Sequence, residues 1–256
     1  MDLGMQGKAV LVTGGTDGLG LALSRKLLEE GARVAVCGRD ESRLDAARTT
    51  LGATDVLAAR VDVTDPVALD GFVDATVARF GRLDGVVSNA GQAVAGAVVD
   101  STDDEWVRDY ELKVLAAVRL ARRAAAHLEA TRGAIVNVLA IAAKAPDAGT
   151  TPTSASRAAG LALTKALSRE LGPRGVRVNA ILIGLVESGQ WERRAASRGT
   201  SVEELYESLA KGARIPLGRF GRATEFADLC SFLLSERASY VTGTGINLDG
   251  GLSPVT

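Results

Sequence analysis

Along most of the chain, short β-branched runs alternate with apolar patterns at helical spacing, and that alternation limits the available folds more than any other feature. "KAVLVTGG" is a strand-like run ending in glycines, and "LGLALSRKLLEEGA" follows it with Leu and Ala at helical spacing before stopping at a glycine. The same grammar recurs in "RVAVCG" with "ESRLDAARTTL", and in "VLAARVDVTD" with "ALDGFVDATVARFG". It recurs again in "LDGVVSNAG" followed by a helical stretch from about Asp103 to Glu129. "GAIVNVLAIA", a helix near Ser154 to Leu171 and "GVRVNAILIG" continue it. Short apolar strands joined by longer helices predict a parallel sheet covered on both faces, a doubly wound α/β fold. No linker, low-complexity tract or internal repeat interrupts it, so residues 1–256 are expected to form a single domain. The least regular stretch, 187–217, is charged and broken by "SRGTS"; it is expected to be a pair of short helices acting as a lid.

Composition narrows the partners. The chain has 256 residues, 46% of them hydrophobic, enough for one well-buried core. Thirty basic residues against 31 acidic ones leave a net charge of −1, so no electrostatic footprint for nucleic acid or an anionic membrane is present. A small-molecule substrate is the expected partner. Cys37 and Cys230 each sit in an apolar stretch and read as small hydrophobes rather than a disulfide or metal site. With no secretory signal pattern and no apolar run of membrane-spanning length, a cytoplasmic protein is expected.

The first strand-to-helix turn carries the most chemistry. "TGGTDGLG" places Gly14, Gly18 and Gly20 between a strand and a helix, with Thr16, Asp17 and Leu19 among them. Gly14 suits a tight turn, Gly18 lets backbone amides approach a pyrophosphate, and Gly20 permits close helix packing, with the helix N-terminus facing the anion. The end of the second strand reads Gly38 then Arg39 rather than a carboxylate. A carboxylate there would repel a 2′-phosphate, whereas a small residue followed by arginine accepts one, so NADP(H) is favoured over NAD(H). Asp17 counts against that preference, and Arg39 has the alternative of pairing with Asp40 or Glu41 in solvent.

These strings together resemble the short-chain dehydrogenase/reductase family over nearly the full length. Besides "TGGTDGLG", they are "VDVTD", "SNAG", "VNAILIG" and "IPLGRFGRATEFADLCSFLLSERASYVTGTGINLDGG". The resemblance implies one Rossmann-type domain with a parallel sheet of about seven strands, a bound nicotinamide dinucleotide, and a homotetramer or homodimer. It assigns Gly14, Gly18, Leu19 and Gly20 to the pyrophosphate, Asp62 and Val63 to the adenine, and Asn89, Ala90 and Gly91 to the segment beside the ribose. Ser188 stands where the family usually carries a threonine that touches the nicotinamide amide.

The family's working residues are an asparagine, a serine, a tyrosine and a lysine, and spacing puts other residues at all four positions. Ala140 lies thirteen residues before Thr153, Arg157 lies four after it, and alignment through Trp106 puts Lys113 at the asparagine position. Threonine is far too weak an acid to replace a lysine-assisted phenol, and arginine stays protonated, so the usual relay is unavailable. Arg157 is still able to hold ribose hydroxyls. If Lys113 reaches the same pocket, two cations meet where the family has one, favouring an anionic or enolate-like ligand and lowering the lysine pKa. The alternatives are that Lys113 pairs with Glu111 or Asp147, and that Thr153 merely belongs to a capping segment, "TSAS". His127 reads as a helix-end surface residue, and Tyr206 is the one tyrosine in the lid segment. Trp191 and Phe220 are expected on the substrate side. Three functions stay open: an NADP(H)-dependent oxidoreductase with a non-standard proton donor, a non-redox enzyme on the same fold, and a non-catalytic partner subunit.

Overall fold

The computed structural model describes residues 2–52 and 54–256. Its first half runs β1 (Ala9–Thr13), α1 (Gly18–Glu29), β2 (Arg33–Gly38), α2 (Glu41–Leu51), β3 (Val56–Arg60), α3 (Pro66–Phe80), β4 (Gly85–Ser88) and a short β5 (Ala95–Gly96). After it come α4 (Asp103–Tyr110), α5 (Ala116–Thr131), β6 (Ala134–Ala140), a short β7 (Thr151–Pro152), α6 (Thr153–Leu171) and β8 (Arg177–Ile183). The chain closes with α7 (Gly189–Arg198), α8 (Val202–Ala213), α9 (Ala223–Leu234) and β9 (Gly245–Leu248).

Seven strands form one sheet in the order β3-β2-β1-β4-β6-β8-β9, and each pairing in it is parallel. The chain therefore reverses its direction of winding between β1 and β4, which opens a crevice at their carboxyl ends. The strands read as continuous apolar runs because both faces are covered: every residue of β1 is buried. One core layer joins Val10, Val12 and Val36 to Leu23 and Leu27 of α1 and to Phe226 and Cys230 of α9. The other joins Leu11, Ala35 and Cys37 to Phe72 of α3 and Leu120 of α5. Both cysteines are buried and unpaired, packed as small apolar groups. This is the single Rossmann-type α/β domain that the sequence predicts, with a separate two-stranded antiparallel pair, β5 with β7, added beside it.

Two elements differ from expectation. The strand beginning at Val56 stops at Arg60, because Val61–Asp65 turn away and the Asp65 side chain caps α3 through the amides of Val67 and Ala68. The long helix after Asp103 is not continuous: residues Glu111–Leu115 form a π-helical turn between α4 and α5. Such a turn holds an extra residue, re-aims the side chains on it, and is frequent at functional sites. Here it carries Lys113 into the interior. The irregular 187–217 stretch folds as α7 and α8, as its pattern predicts. Among the described residues, no helix is long and apolar enough to cross a membrane.

Candidate active site

The crevice is built around the glycine turn. Gly14 and Gly18 adopt left-handed φ values of 65° and 50°, which side chains other than glycine rarely tolerate. Gly20 is required by proximity: a Cβ there would lie 2.3 Å from the carbonyl oxygen of Gly14. Asn89 clamps the neighbouring segment onto this turn, its Nδ2 donating to the carbonyls of Thr13 (2.9 Å) and Gly14 (3.1 Å). Thr13 Oγ1 returns the link by accepting from the amides of Asn89 (3.0 Å) and Ala90 (3.1 Å). The Asn89 side chain is thus occupied in holding the turn, so a ribose beside it would meet the backbone of Ala90 and Gly91.

At the outer end of the crevice, Thr16, Arg39, Asp40 and Arg43 line an open pocket. Arg39 does not pair with Asp40 or Glu41. Its Nη1 lies 3.7 Å from Asp62 Oδ2, while Asp40 caps α2 by accepting from Arg43 N and Glu41 lies 3.3 Å from Arg48. Partial burial works against the Asp62 carboxylate, but hydrogen bonds from Thr64 and the neighbouring Arg39 hold it below the usual carboxylate range. Val63 is buried beside it. Gly38 packs against Thr16, where a Cβ would meet Thr16 Oγ1 at 2.7 Å. Arg43 stands outside the sequence-based set, because a helix residue five positions past the strand end carries no motif.

At the inner end, Lys113, Thr153 and Arg157 come together. Thr153 is the first residue of α6, with Pro152 in the cap position, and its side chain makes no helix cap. Its hydroxyl instead donates to the carbonyl of Val94 (2.6 Å) and accepts from Val94 N (3.0 Å) and from Lys113 Nζ (2.8 Å). Lys113 pairs with neither Glu111 nor Asp147. The ion pair is with Asp109, one turn earlier, and the side chains of both are at most 1% exposed. Glu111 is engaged by Arg119 at 2.9 Å, and Ser156 Oγ donates to the other Asp109 oxygen at 2.5 Å. Asp109 supplies a counter-charge that the two-cation expectation lacked. In the sequence, a carboxylate facing inward from a polar helix looks like its exposed neighbours Asp103 and Asp104.

Burial is the largest influence on Lys113 and pushes its ammonium down, the hydrogen bond it donates to Asp109 opposes that, and the charge on Arg157 adds to the lowering; the outcome is about 8. Burial likewise lowers the Arg157 guanidinium to about 10, so it stays protonated at neutral pH. Arg157 Nη1 donates to the carbonyl of Val138, and Nη2 lies against Gly91, 3.1 Å from where a Cβ would sit. Ala140 ends β6 and its side chain has no polar atom to offer.

Ser188 holds the cap position of α7, and its Cβ approaches Gly18, so α7 starts directly over the glycine turn. Behind it, Phe220 packs edge-on to Trp191 (5.5 Å between centroids) and stacks on Tyr206 (4.6 Å). Burial raises the Tyr206 phenol and makes it a poorer acid. His127 sits in the last turns of α5, outside the site residues above.

The residues present fit a dinucleotide. Glycine at 14 and 20 lets the turn close against Ala90 and Asn89, and the helix N-terminus behind it has no side-chain cap. Two buried polar atoms beside the crevice, Ser88 Oγ and Arg157 Nε, have no partner. Residues 14–253 match the family model described as enoyl-(acyl carrier protein) reductase. The chain belongs to the short-chain dehydrogenase/reductase family.

Among its relatives, a granaticin polyketide synthase putative ketoacyl reductase of Streptomyces violaceoruber is 35% identical over 251 residues, covering 94% of this chain and 92% of that protein. The NADPH-bound short chain oxidoreductase of Pseudomonas aeruginosa PAO1, described as containing an atypical catalytic center, superposes with a TM-score of 0.91 at 38% identity. The match covers 97% of this chain and 98% of that one. L-sorbose reductase of Gluconobacter frateurii, complexed with NADPH and L-sorbose, gives a TM-score of 0.93 at 32% identity over 100% of both chains.

Proposed function

We propose that this chain is an NADP(H)-dependent oxidoreductase that interconverts a small carbonyl compound and its alcohol, with Lys113 and Thr153 replacing the family's tyrosine and lysine in proton transfer. The observation that carries the reading is the 2.8 Å hydrogen bond from Lys113 Nζ to Thr153 Oγ1 beside Arg157. NADPH, when bound, supplies the hydride. Gly14, Thr16, Gly18, Leu19 and Gly20 would hold the pyrophosphate. Arg39 with Arg43 would hold the 2′-phosphate, and Asp62 with Val63 the adenine. Ala90, Gly91 and Arg157 would face the ribose, Asn89 would keep that segment in place, and Ser188 would meet the nicotinamide amide.

Threonine is too weak an acid to act alone. Its hydroxyl can instead pass a proton on. As negative charge develops on the carbonyl oxygen, the Thr153 proton turns from the Val94 carbonyl to that oxygen while Oγ1 takes a proton from Lys113. The C=O double bond becomes a single bond, one new O–H forms, and Lys113 is left as a neutral amine that recovers its proton from water. Asp109 stabilises the charged form of Lys113 between turnovers, and Arg157 adds positive charge where the alkoxide develops. Two relatives whose structures hold NADPH, one of them described as a short chain oxidoreductase with an atypical catalytic center, support this reading. On the same reading the protein would act as a homodimer or homotetramer, and 187–217 would serve as the substrate lid.

The test is a fluorescence titration with NADPH and, separately, NADH, followed by a screen of small ketones, diketones and aldehydes for NADPH consumption. Micromolar binding with NADPH preferred, together with consumption on at least one carbonyl, is the expected result. Absence of binding in folded protein would overturn the reading.

A further inference from the structure

The lid helix rests on the phosphate-binding turn, and the contact runs through one carboxylate. Asp17 occupies the cap position of α1 with extended backbone, yet its side chain makes no cap hydrogen bond. Asp17 Oδ2 accepts instead from Arg193 Nη1 of α7 at 2.9 Å and lies 3.7 Å from Arg43 Nη1 of α2. The same carboxylate presses on Gly189 at the start of α7, where a Cβ would come within 2.5 Å of Oδ2. Arg43 is loosely held: besides Asp17, its ion-pair partner is Asp40, 3.9 Å from Nε. It lines the open pocket with Thr16 and Arg39.

We infer that Asp17 is a specificity-determining residue: it competes with a 2′-phosphate for Arg43 and, through Arg193, latches α7 over the turn. The inference rests on the NADP(H) reading above. A phosphate carries more charge than a carboxylate and offers oxygens that match a guanidinium fork, so it takes Arg43 when it arrives. Asp17 is then left to Arg193 alone, and the latch tightens as the phosphate site fills. NADH brings no 2′-phosphate, leaves Arg43 on Asp17, and meets the same latch in its looser, shared form. All three side chains are 36–50% exposed, so each pairing is screened and its effect is modest.

The experiment compares NADPH and NADH titrations at low salt for the wild type, Asp17→Asn, Arg43→Gln and Arg193→Gln, each checked for folding by its melting curve. The readout is the ratio of the NADH to the NADPH dissociation constant, which cancels any change in repulsion of the shared pyrophosphate. Asp17→Asn should raise the ratio about two- to five-fold, the size of an exposed ion pair. Arg43→Gln should lower it about tenfold, and Arg193→Gln should leave it within a factor of about two. Amide exchange in 189–198, read without cofactor, should speed up in both Asp17→Asn and Arg193→Gln. A flat or lowered ratio in Asp17→Asn overturns the specificity role, and unchanged exchange there overturns the latch. A wild type that binds neither dinucleotide would sink the NADP(H) reading itself, an outcome separate from a flat ratio.

Discussion

Lys113 and Thr153 owe their chemistry to neighbours rather than to their own side chains. An ammonium at a pKa of about 8 is poised to give up a proton near neutral pH, as an exposed lysine is not. The groups facing it are Asp109, Thr153 and Arg157. On the proposed mechanism the charged form is the reactive one in carbonyl reduction, so the rate should hold below about pH 8 and fall above it; alcohol oxidation should show the opposite limb. Asp109→Asn removes the influence that raises the lysine while keeping hydrogen-bonding atoms, so the alkaline limb should move to lower pH. A pH–rate profile of both proteins checks this, and an unmoved limb would remove Asp109 from the account. Thr153→Ser keeps the hydroxyl and should keep most of the rate, whereas Thr153→Val should lower it by about 10²–10⁴-fold in a steady-state assay. Lys113→Met leaves the Asp109 carboxylate buried without its partner and should also lower stability, by about 3–5 kcal/mol in a denaturant titration.

At the level of elements, the turn after β1 and the π-helical turn before α5 shape the candidate site. Gly20→Ala would drive a Cβ to 2.3 Å from a backbone oxygen that has nowhere to move. It should lose NADPH binding and lower stability by about 1–3 kcal/mol, checked by titration and thermal melting. The glycine turn was legible in the sequence because left-handed φ and close backbone approach admit few residue types. The strand and helix alternation was legible because a sheet covered on both faces demands apolar runs. The π-helical turn was not: "DYELKVLAAV" has ordinary helical periodicity, and one extra residue in a turn changes no pattern that spacing detects. The partner of Lys113 was missed for the same reason, since Asp109 faces inward because of the helix's rotation and not its composition. For Thr153 the sequence leaves a site role and a capping role open, because one of the partners that settle its position, Val94, lies 59 positions away in sequence.

For the molecule as a whole, the scaffold and the site answer to different substitutions. Phe226 of α9, fully buried, belongs to the core layer that joins α1 and α9 to the sheet. Phe226→Ala should lower stability by about 3–5 kcal/mol while leaving the shape of the pH–rate profile unchanged. The fold thus supplies a crevice between β1 and β4, and the altered residues decide what happens in it. The most direct measurement is single-turnover NADPH oxidation on whichever carbonyl the screen identifies, with wild type and Lys113→Met both saturated with NADPH. The account predicts that the variant binds NADPH within a few-fold of wild type yet oxidises it at least about 100-fold more slowly. Equal oxidation rates at equal saturation would contradict it.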